Sequence, residues 1–251
     1  MLNGLDKKYY TVPQAQLFFR PEGGEEFVNL GNASDVTVQV DNSNIDIKSN
    51  EGPVARTDER IPNENTVTVS LTLQQLSEFN RAASLSSRVK TRSRSSTSGN
   101  TKTVNGVKAG SIYFVGSHQI SNVSVTDGSG SVEYTKGTDY EVDLGSGLLH
   151  VLQIPDTADS DIQITYDEDE LTERFEAEVG ADPQMNGELM IRSTQRYGPK
   201  GILVLHRVDL QPSDSRAFVS GDENASVSLE GQALRDQTKP EDRQFGYEME
   251  L

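Results

Sequence analysis

Apolar and polar residues alternate with a period of two through much of this chain. Val36, Val38 and Val40 alternate with Thr37, Gln39 and Asp41, and Ile45 and Ile47 continue after an Asn/Ser break. Val67, Val69, Leu71 and Leu73 alternate with Thr68, Ser70, Thr72 and Gln74. Successive side chains of a strand point to opposite faces, so both segments read as half-buried strands with one apolar and one polar face. Further strands are expected at 16–20, 111–115, 122–126, 139–144, 148–153, 161–166, 171–179, 188–193, 202–210, 226–233 and 244–250. Ile202-Leu203-Val204-Leu205 is a continuous apolar run and predicts a strand packed on both faces.

The period changes once. Across 74–85, Leu76, Phe79, Ala82 and Ala83 share one side of a helix, short enough that docking that stripe onto a sheet must stabilise it. Two stretches interrupt the patterned strands. Residues 46–65, with Gly52-Pro53 and Pro62, read as a long loop with little to bury. Residues 106–169 carry several short strands separated by turn signals at Asp127-Gly128, Lys136-Gly137 and Gly145-Ser146-Gly147, which reads as a small inserted β subdomain. The Ser- and Arg-rich stretch 84–99 has almost nothing to bury and is expected to be a flexible, exposed loop, with 86–105 taken as one basic segment. The expected class is mainly β: an antiparallel sandwich or barrel with one short flanking helix. A core split between 1–105 and 170–251 would then be interrupted by the insertion at 106–169.

Composition narrows the function. The chain has 251 residues, enough to bury roughly 70–75% of its extended-chain surface in one large or two small domains. Only 33% of residues are hydrophobic, which fits either extensive disorder or extended hairpins covered in an assembly. Residues 80–126 carry seven Lys and Arg and no acid, whereas 127–188 carry 17 acids against Lys136 and Arg174. Such blocks are either solvated faces or halves of a charge pairing between neighbouring subunits. An Arg/Ser nucleic-acid arm is the sharper reading of the basic block, but it lacks interleaved aromatics for stacking. The net charge of −16 disfavours tight binding to nucleic acid or anionic membranes. No stretch approaches the ~20 apolar residues needed to span a bilayer, and no secretory leader is expected at the N-terminus.

Candidate chemistry is sparse. There is no Cys, and His118, His150 and His206 are far apart, so thiolate sites and His-based catalysis have little to work with. Asp167-Glu168-Asp169-Glu170 is the most obvious cation-ligand cluster. It lacks the spaced Asp/Asn and Gly of a calcium loop and reads as a solvated acidic strand end. Asp127-Gly128-Ser129-Gly130-Ser131 reads as a hairpin turn, and Gly145-Ser146-Gly147 falls short of a phosphate-binding fingerprint. No catalytic, cofactor-binding or metal-ligating residue is assigned, no cofactor is expected, and an enzyme is not expected.

The order of elements carries a resemblance. A patterned strand at 35–41 is followed by a long excursion. Then Thr66-Val67-Thr68-Val69-Ser70-Leu71-Thr72-Leu73 runs directly into a short helix. Gly187-Glu188-Leu189-Met190-Ile191, the apolar strand 201–210 and the segment 225–234 come later. Gly137-Thr138-Asp139-Tyr140, with Glu141, Asp143 and Gly145 after it, adds a recurrent hairpin segment. Over most of its length the chain resembles the major tail tube proteins of long-tailed bacteriophages with non-contractile tails. That resemblance implies a β-sandwich flanked by a helix, assembled as stacked hexameric rings into a hollow virion tube through which double-stranded DNA passes without specific binding. It implies tape-measure, tail-terminator and tail-tip proteins as further partners, host cytoplasm as the place of assembly, and no membrane. Thr37, Gln39, Asp41, Thr68, Ser70 and Thr72 would face the lumen. Asp46, Lys48, Glu51, Arg56, Asp58, Glu59, Arg60 and Glu64 would lie on the loop that grips adjacent subunits and rings. The basic segment and the insertion would lie toward the outer surface or at ring–ring contacts. Two alternatives remain: a carbohydrate-binding adhesion module, and the tube of a contractile tail or a type VI secretion-like system.

Overall fold

A computed structural model describes residues 10–49, 54, 56–182, 184–221 and 224–251. The protein is mainly β, with antiparallel sheets and, among the described residues, one short α-helix and a single 3-10 turn at Glu241–Arg243. In chain order the strands are β1 (Ala15–Pro21), β2 (Val28–Asn29), β3 (Ala33–Ser49) and β4 (Arg56–Leu73), followed by helix α1 (Glu78–Ala83). There follow β5 (Lys90–Arg94), β6 (Thr97–Val104), β7 (Ile112–Phe114), β8 (Ile120–Asp127), β9 (Tyr140–Asp143), β10 (Leu148–Val151), β11 (Ile162–Glu168) and β12 (Leu171–Glu176). The last four are β13 (Met185–Ser193), β14 (Gly201–Pro212), β15 (Val227–Ala233) and β16 (Gly246–Glu250). These form two compact units, one of Met1–Lys90 with Ala177–Leu251 and the other of Thr91–Glu176. The second unit is wider than the 106–169 insertion read from turn signals.

The first unit is built on an eight-stranded sheet in the order β2-β1-β13-β14-β15-β4-β3, with β16 also paired to β14. Strand β14 changes partner along its length. Gly201–Leu205 pairs with β16, and Val208–Pro212 pairs with β15. Both partners approach it through glycine. A Cβ on Gly246 would lie 2.1 Å from the Val204 carbonyl oxygen, and one on Gly231 would lie 2.0 Å from that of Asp209. Val67, Val69, Leu71 and Leu73 of β4 are buried against Leu17, Phe19, Leu189, Leu205, Val208, Leu210 and Leu229. Burial of Val and Leu side chains contributes about 1.5–3 kcal/mol each, and a one-residue slip would turn all four of the β4 residues to the other face.

The helix is shorter than the 74–85 expected from its stripe. The Gln74 N–H donates to the Asn32 carbonyl at 2.8 Å, which keeps that end extended. Ser77 caps the helix, its hydroxyl accepting from the Asn80 N–H at 3.2 Å. Ala82 and Ala83 are buried and Phe79 packs on Phe19, their ring centroids 5.5 Å apart. Leu76, expected on the same stripe, is exposed. The Asn80 amide takes an inner position instead, donating to the Leu30 and Gln75 carbonyls at 2.8 and 2.6 Å.

The segment read as a 46–65 loop is different. Strands β3 and β4 remain paired from Ala33↔Leu73 out to Ser49↔Arg56, so the excursion is the distal half of one long β-hairpin. Its residues are exposed on both faces. Two Pro residues and a low apolar content suggested a loop. Register shifts between Ser43/Asn44 and Ile47/Lys48 absorb the irregular residues while the ladder continues.

The second unit holds two three-stranded sheets, β7-β10-β9 and β6-β11-β8, and the two-stranded ribbon β12-β5. Its own core includes Val115, Ile120, Val125, Tyr134, Tyr140, Leu149, Val151, Ile162 and Ile164. The stretch expected to be a flexible loop is ordered as β5 and β6. Apolar burial does not order it: β6 pairs with β11 and β5 with β12, and the cations of β5 add ion pairs. Arg92 pairs with Glu176 at 3.3 Å, and Arg94 lies 3.5 Å from Glu168. Arg94 is largely buried and forks into the surrounding loops. Its Nη1 donates to the Ser117 hydroxyl at 2.6 Å, and its Nη2 donates to the His118 and Asp169 carbonyls at 2.9 and 3.0 Å. In the first unit Arg88 pairs with Asp182, and Lys90 with Glu178 at 2.6 Å. Basic and acidic blocks of one chain therefore meet each other.

Two predictions follow from the second unit. Arg94→Ala leaves carbonyl acceptors unpaired and is expected to cost about 1–3 kcal/mol in denaturant unfolding; Arg94→Lys restores little, because an ammonium lacks the planar fork. Separately, backbone N–H donors hold several carboxyls below their ordinary range: Val132 acts on Asp127 and Thr135 on Asp139. Stability from a lowered carboxyl is present above its unfolded value near 3.8 and is lost as pH falls through the folded value. Hydrogen exchange should therefore show the β9 region loosening only below about pH 4, and Asp139→Asn should flatten that dependence.

Candidate functional site

The six residues read as lumen-facing lie on one face of the first unit's sheet. Thr37, Gln39 and Asp41 are exposed on β3, and Thr68, Ser70 and Thr72 are half-buried on β4, opposite Val67, Val69, Leu71 and Leu73. Pairing joins them into rows. Thr37 lies across from Ser70, Gln39 from Thr68, and Asp41 from Thr66. Gln39 bridges along its strand, its Nε2 donating to both Asp41 carboxylate oxygens at 2.9 and 3.0 Å.

Register extends these rows beyond the two strands that alternation had singled out. The row of Gln39 and Thr68 continues through Gln232 and Asp209 to Asn186. The row of Thr37 and Ser70 continues through Glu230 to Gln211. A third runs Asp35, Thr72, Ser228. Alternation in Val227-Ser228-Leu229-Glu230-Gly231-Gln232-Ala233 was enough to find the β15 members. Asp209 and Gln211 follow a continuous apolar run, and only the pairing of β14 with β15 assigns them to this face.

The face is a field of hydroxyls, amides and carboxylates. Asp35, Asp41, Asp209 and Glu230 lie in its rows, and no Lys or Arg does. Asp209 Oδ1 is buried with no hydrogen-bond partner. Cations begin at its far end, where Arg20 pairs with Glu188, and Arg207 lies 3.8 Å from Glu22. At that end Arg20, Glu188, His206, Arg207 and Asp236 line a cavity of about 750 Å³. Among the described residues no group of His, Asp and Glu is placed to hold a metal ion. The acidic run lies at the exposed end of β11, where it makes hydrogen bonds to neighbouring segments. Asp167 accepts from the Asn122 amide and the Gly99 N–H, both at 2.8 Å. Glu168 accepts from Thr97 and Asp169 from Ser121.

One edge of the sheet is open. Among the described residues strand β3 pairs with β4 alone, which leaves its other side as a sheet edge along Ala33–Ser49. Val40, on its apolar face, is 59% exposed, although Val36 and Val38 of the same face are half-buried. Long, exposed edges of this kind are templates for pairing with another chain.

The residues read as the gripping loop sit on the distal hairpin. Asp46 and Arg60 form an ion pair at 2.8 Å, and the hydrogen bond from Arg60 lowers the Asp46 carboxyl from its ordinary value. Lys48 lies across from Thr57, Arg56 from Ser49, Glu59 from Ile47, and Glu64 from Ser43. Asp58 falls in the register shift, and Glu51 lies outside the described residues.

A protein-family model described as "Protein of unknown function UCP028589" matches residues 16–248. No curated protein matches the chain.

If the polar face is a working surface and not a packing surface, its hydroxyls contribute little to the fold. Thr68→Ala and Ser70→Ala are expected to shift unfolding free energy by no more than about 0.5 kcal/mol. Leu71→Ala, one position away, is expected to cost about 2–5 kcal/mol. Denaturant titration of the three variants checks the contrast.

Proposed function

We propose a structural role for this chain, which belongs to that family of unknown function: copies join through their open sheet edges into rings, and stacked rings make a tube. The observation that carries the reading is the polar face itself. It spans five strands with regular rows of Thr, Ser, Gln, Asn, Asp and Glu, with cations only at its margin, at Arg20 and Arg207, and it ends at a strand whose outer edge has no partner among the described residues. Continuing the sheet from copy to copy satisfies that edge and turns the polar faces into one lining.

Such a lining suits the passage of a polyanion. Double-stranded DNA carries one charge per ~1.7 Å, and each cation that contacts a phosphate adds to binding. A wall of hydroxyls, amides and carboxylates gives no such holding points. Screening confines the effect to roughly 8 Å at physiological salt, so wall residues matter and the net charge of the whole chain does not. Together with the resemblance in element order, this supports a virion tail-tube protein of a long-tailed phage, forming hexameric rings around exiting double-stranded DNA. It would act with tape-measure, terminator and tail-tip proteins, without enzymatic chemistry.

Negative-stain microscopy of the concentrated pure protein is expected to show rings or hollow rods of uniform bore. In virions, Gln39→Lys with Asp41→Lys is expected to slow genome delivery while tube length stays unchanged. A monomer that persists at high concentration and binds glycans in an array would overturn the reading.

A further inference from the structure

The cavity at the margin of the polar face carries both signs of charge, and the two signs are not equally satisfied. It encloses about 750 Å³ and is lined wholly by residues of the first unit. Arg20, Arg207 and Arg235 stand there against Glu22, Glu188 and Asp236, with His206 beside them. By number the charges balance. By geometry they do not.

Two of the three carboxylates are already taken. Glu188 pairs with Arg20. Asp236 Oδ1 accepts from the Thr238 N–H and hydroxyl at 2.9 and 2.7 Å, which commits it to its own turn. Glu22 is the third, and it is held loosely. Its carboxylate lies 3.8 Å from Arg207 Nη2, beyond hydrogen-bond distance, and its side chain is 60% exposed.

On the cationic side Arg20 is fully engaged, bound to Glu188 and stacked over Phe27 at 4.9 Å from the ring centroid. Arg207 has the distant Glu22 as its counter-charge. Arg235 donates through Nε to the Gln244 amide oxygen. A guanidinium carries five N–H donors, so one amide contact does not exhaust it, and its fork matches the oxygens of carboxylates and phosphates.

Glu22 therefore stands where an outside anion would. It sits on an open turn: the Gly24 N–H donates to the Pro21 carbonyl at 2.9 Å, and Gly23 takes a φ of 82°. A Cβ on Gly23 would meet nothing within 4 Å. Such a turn lets the Glu22 carboxylate leave Arg207 without disturbing the core. An outside carboxylate would gain nothing over Glu22, whereas a phosphate brings more acceptor oxygens to two guanidiniums. We propose that this cavity is a phosphate-binding site, in which Arg207 and Arg235 take the oxyanion and Glu22 is the internal carboxylate that it displaces. Two sources carry that chemistry, a free phosphate and a phosphodiester of nucleic acid. The site lies outside the rows of Asp35, Asp41, Asp209 and Glu230, whose carboxylates would repel either. It goes beyond the tube reading and does not depend on it, since every group belongs to one copy.

Phosphorus NMR of inorganic phosphate with the full chain, at matched ionic strength, reads binding as line broadening. The line is expected to broaden with the wild-type chain and to broaden further with Glu22→Gln. Arg207→Ala is expected to weaken binding about tenfold or more. A merely structural ion pair would give no gain on Glu22→Gln. In a second arm short double-stranded DNA competes: loss of the broadening assigns the cavity to backbone phosphodiesters, and persistence assigns it to free phosphate. Absence of broadening with both the wild-type chain and Glu22→Gln would overturn the site, as would broadening that Arg207→Ala leaves intact. If Arg207→Ala does not fold, Arg235→Ala takes its place under the same criterion.

Discussion

The alternation of β4 is the constraint on which the rest depends. Val67, Val69, Leu71 and Leu73 are buried between two flanking strands, and that burial locks register in both directions at once. With register locked, Thr68, Ser70 and Thr72 must point the other way, and so must the residues across from them on β3 and β15. The polar face therefore needs no separate device to assemble it. It is the reverse side of the hydrophobic core, and any substitution that kept the core would keep the face.

Where the core stops, the same ladder continues without it. Beyond Asp41 and Thr66 the described residues of the hairpin include no buried side chain, yet the pairing runs on to Ser49 and Arg56. What changes there is the location of the apolar residues, which move from the sandwich side to the side that bears the polar rows. An isolated two-stranded ribbon is marginal in water, and this one exposes Ile45, Ile47 and Ile61.

Charge patterns the segment 88–94 as apolar burial patterns β4. Cations at every second position from Arg88 to Arg94 place four positive groups on one side of an extended chain, and four carboxylates from the returning segment receive them. Exposed pairs such as Lys90–Glu178 contribute little singly. Arg94 is different, since its half-buried guanidinium joins the Ser117 hydroxyl, two loop carbonyls and the Glu168 carboxylate at once. A period of two was present in this segment, but written in charge, and a search for apolar alternation passes over it.

The amino-acid sequence alone was sufficient for the mainly-β class and the apolar and polar faces of β3 and β4. These depend on nearest neighbours along the chain: burial alternates with a period the sequence displays directly. Tertiary structure decided the rest. Leu76 was traded for Asn80 at the helix–sheet contact because backbone carbonyls of Leu30 and Gln75 needed a donor there. Asp209 and Gln211 joined the polar face through the pairing of β14 with β15. The basic block became two strands because its partners lie 70 to 95 residues away in the chain. Pairings of that range depend on which segments the fold brings together, and no local pattern records them.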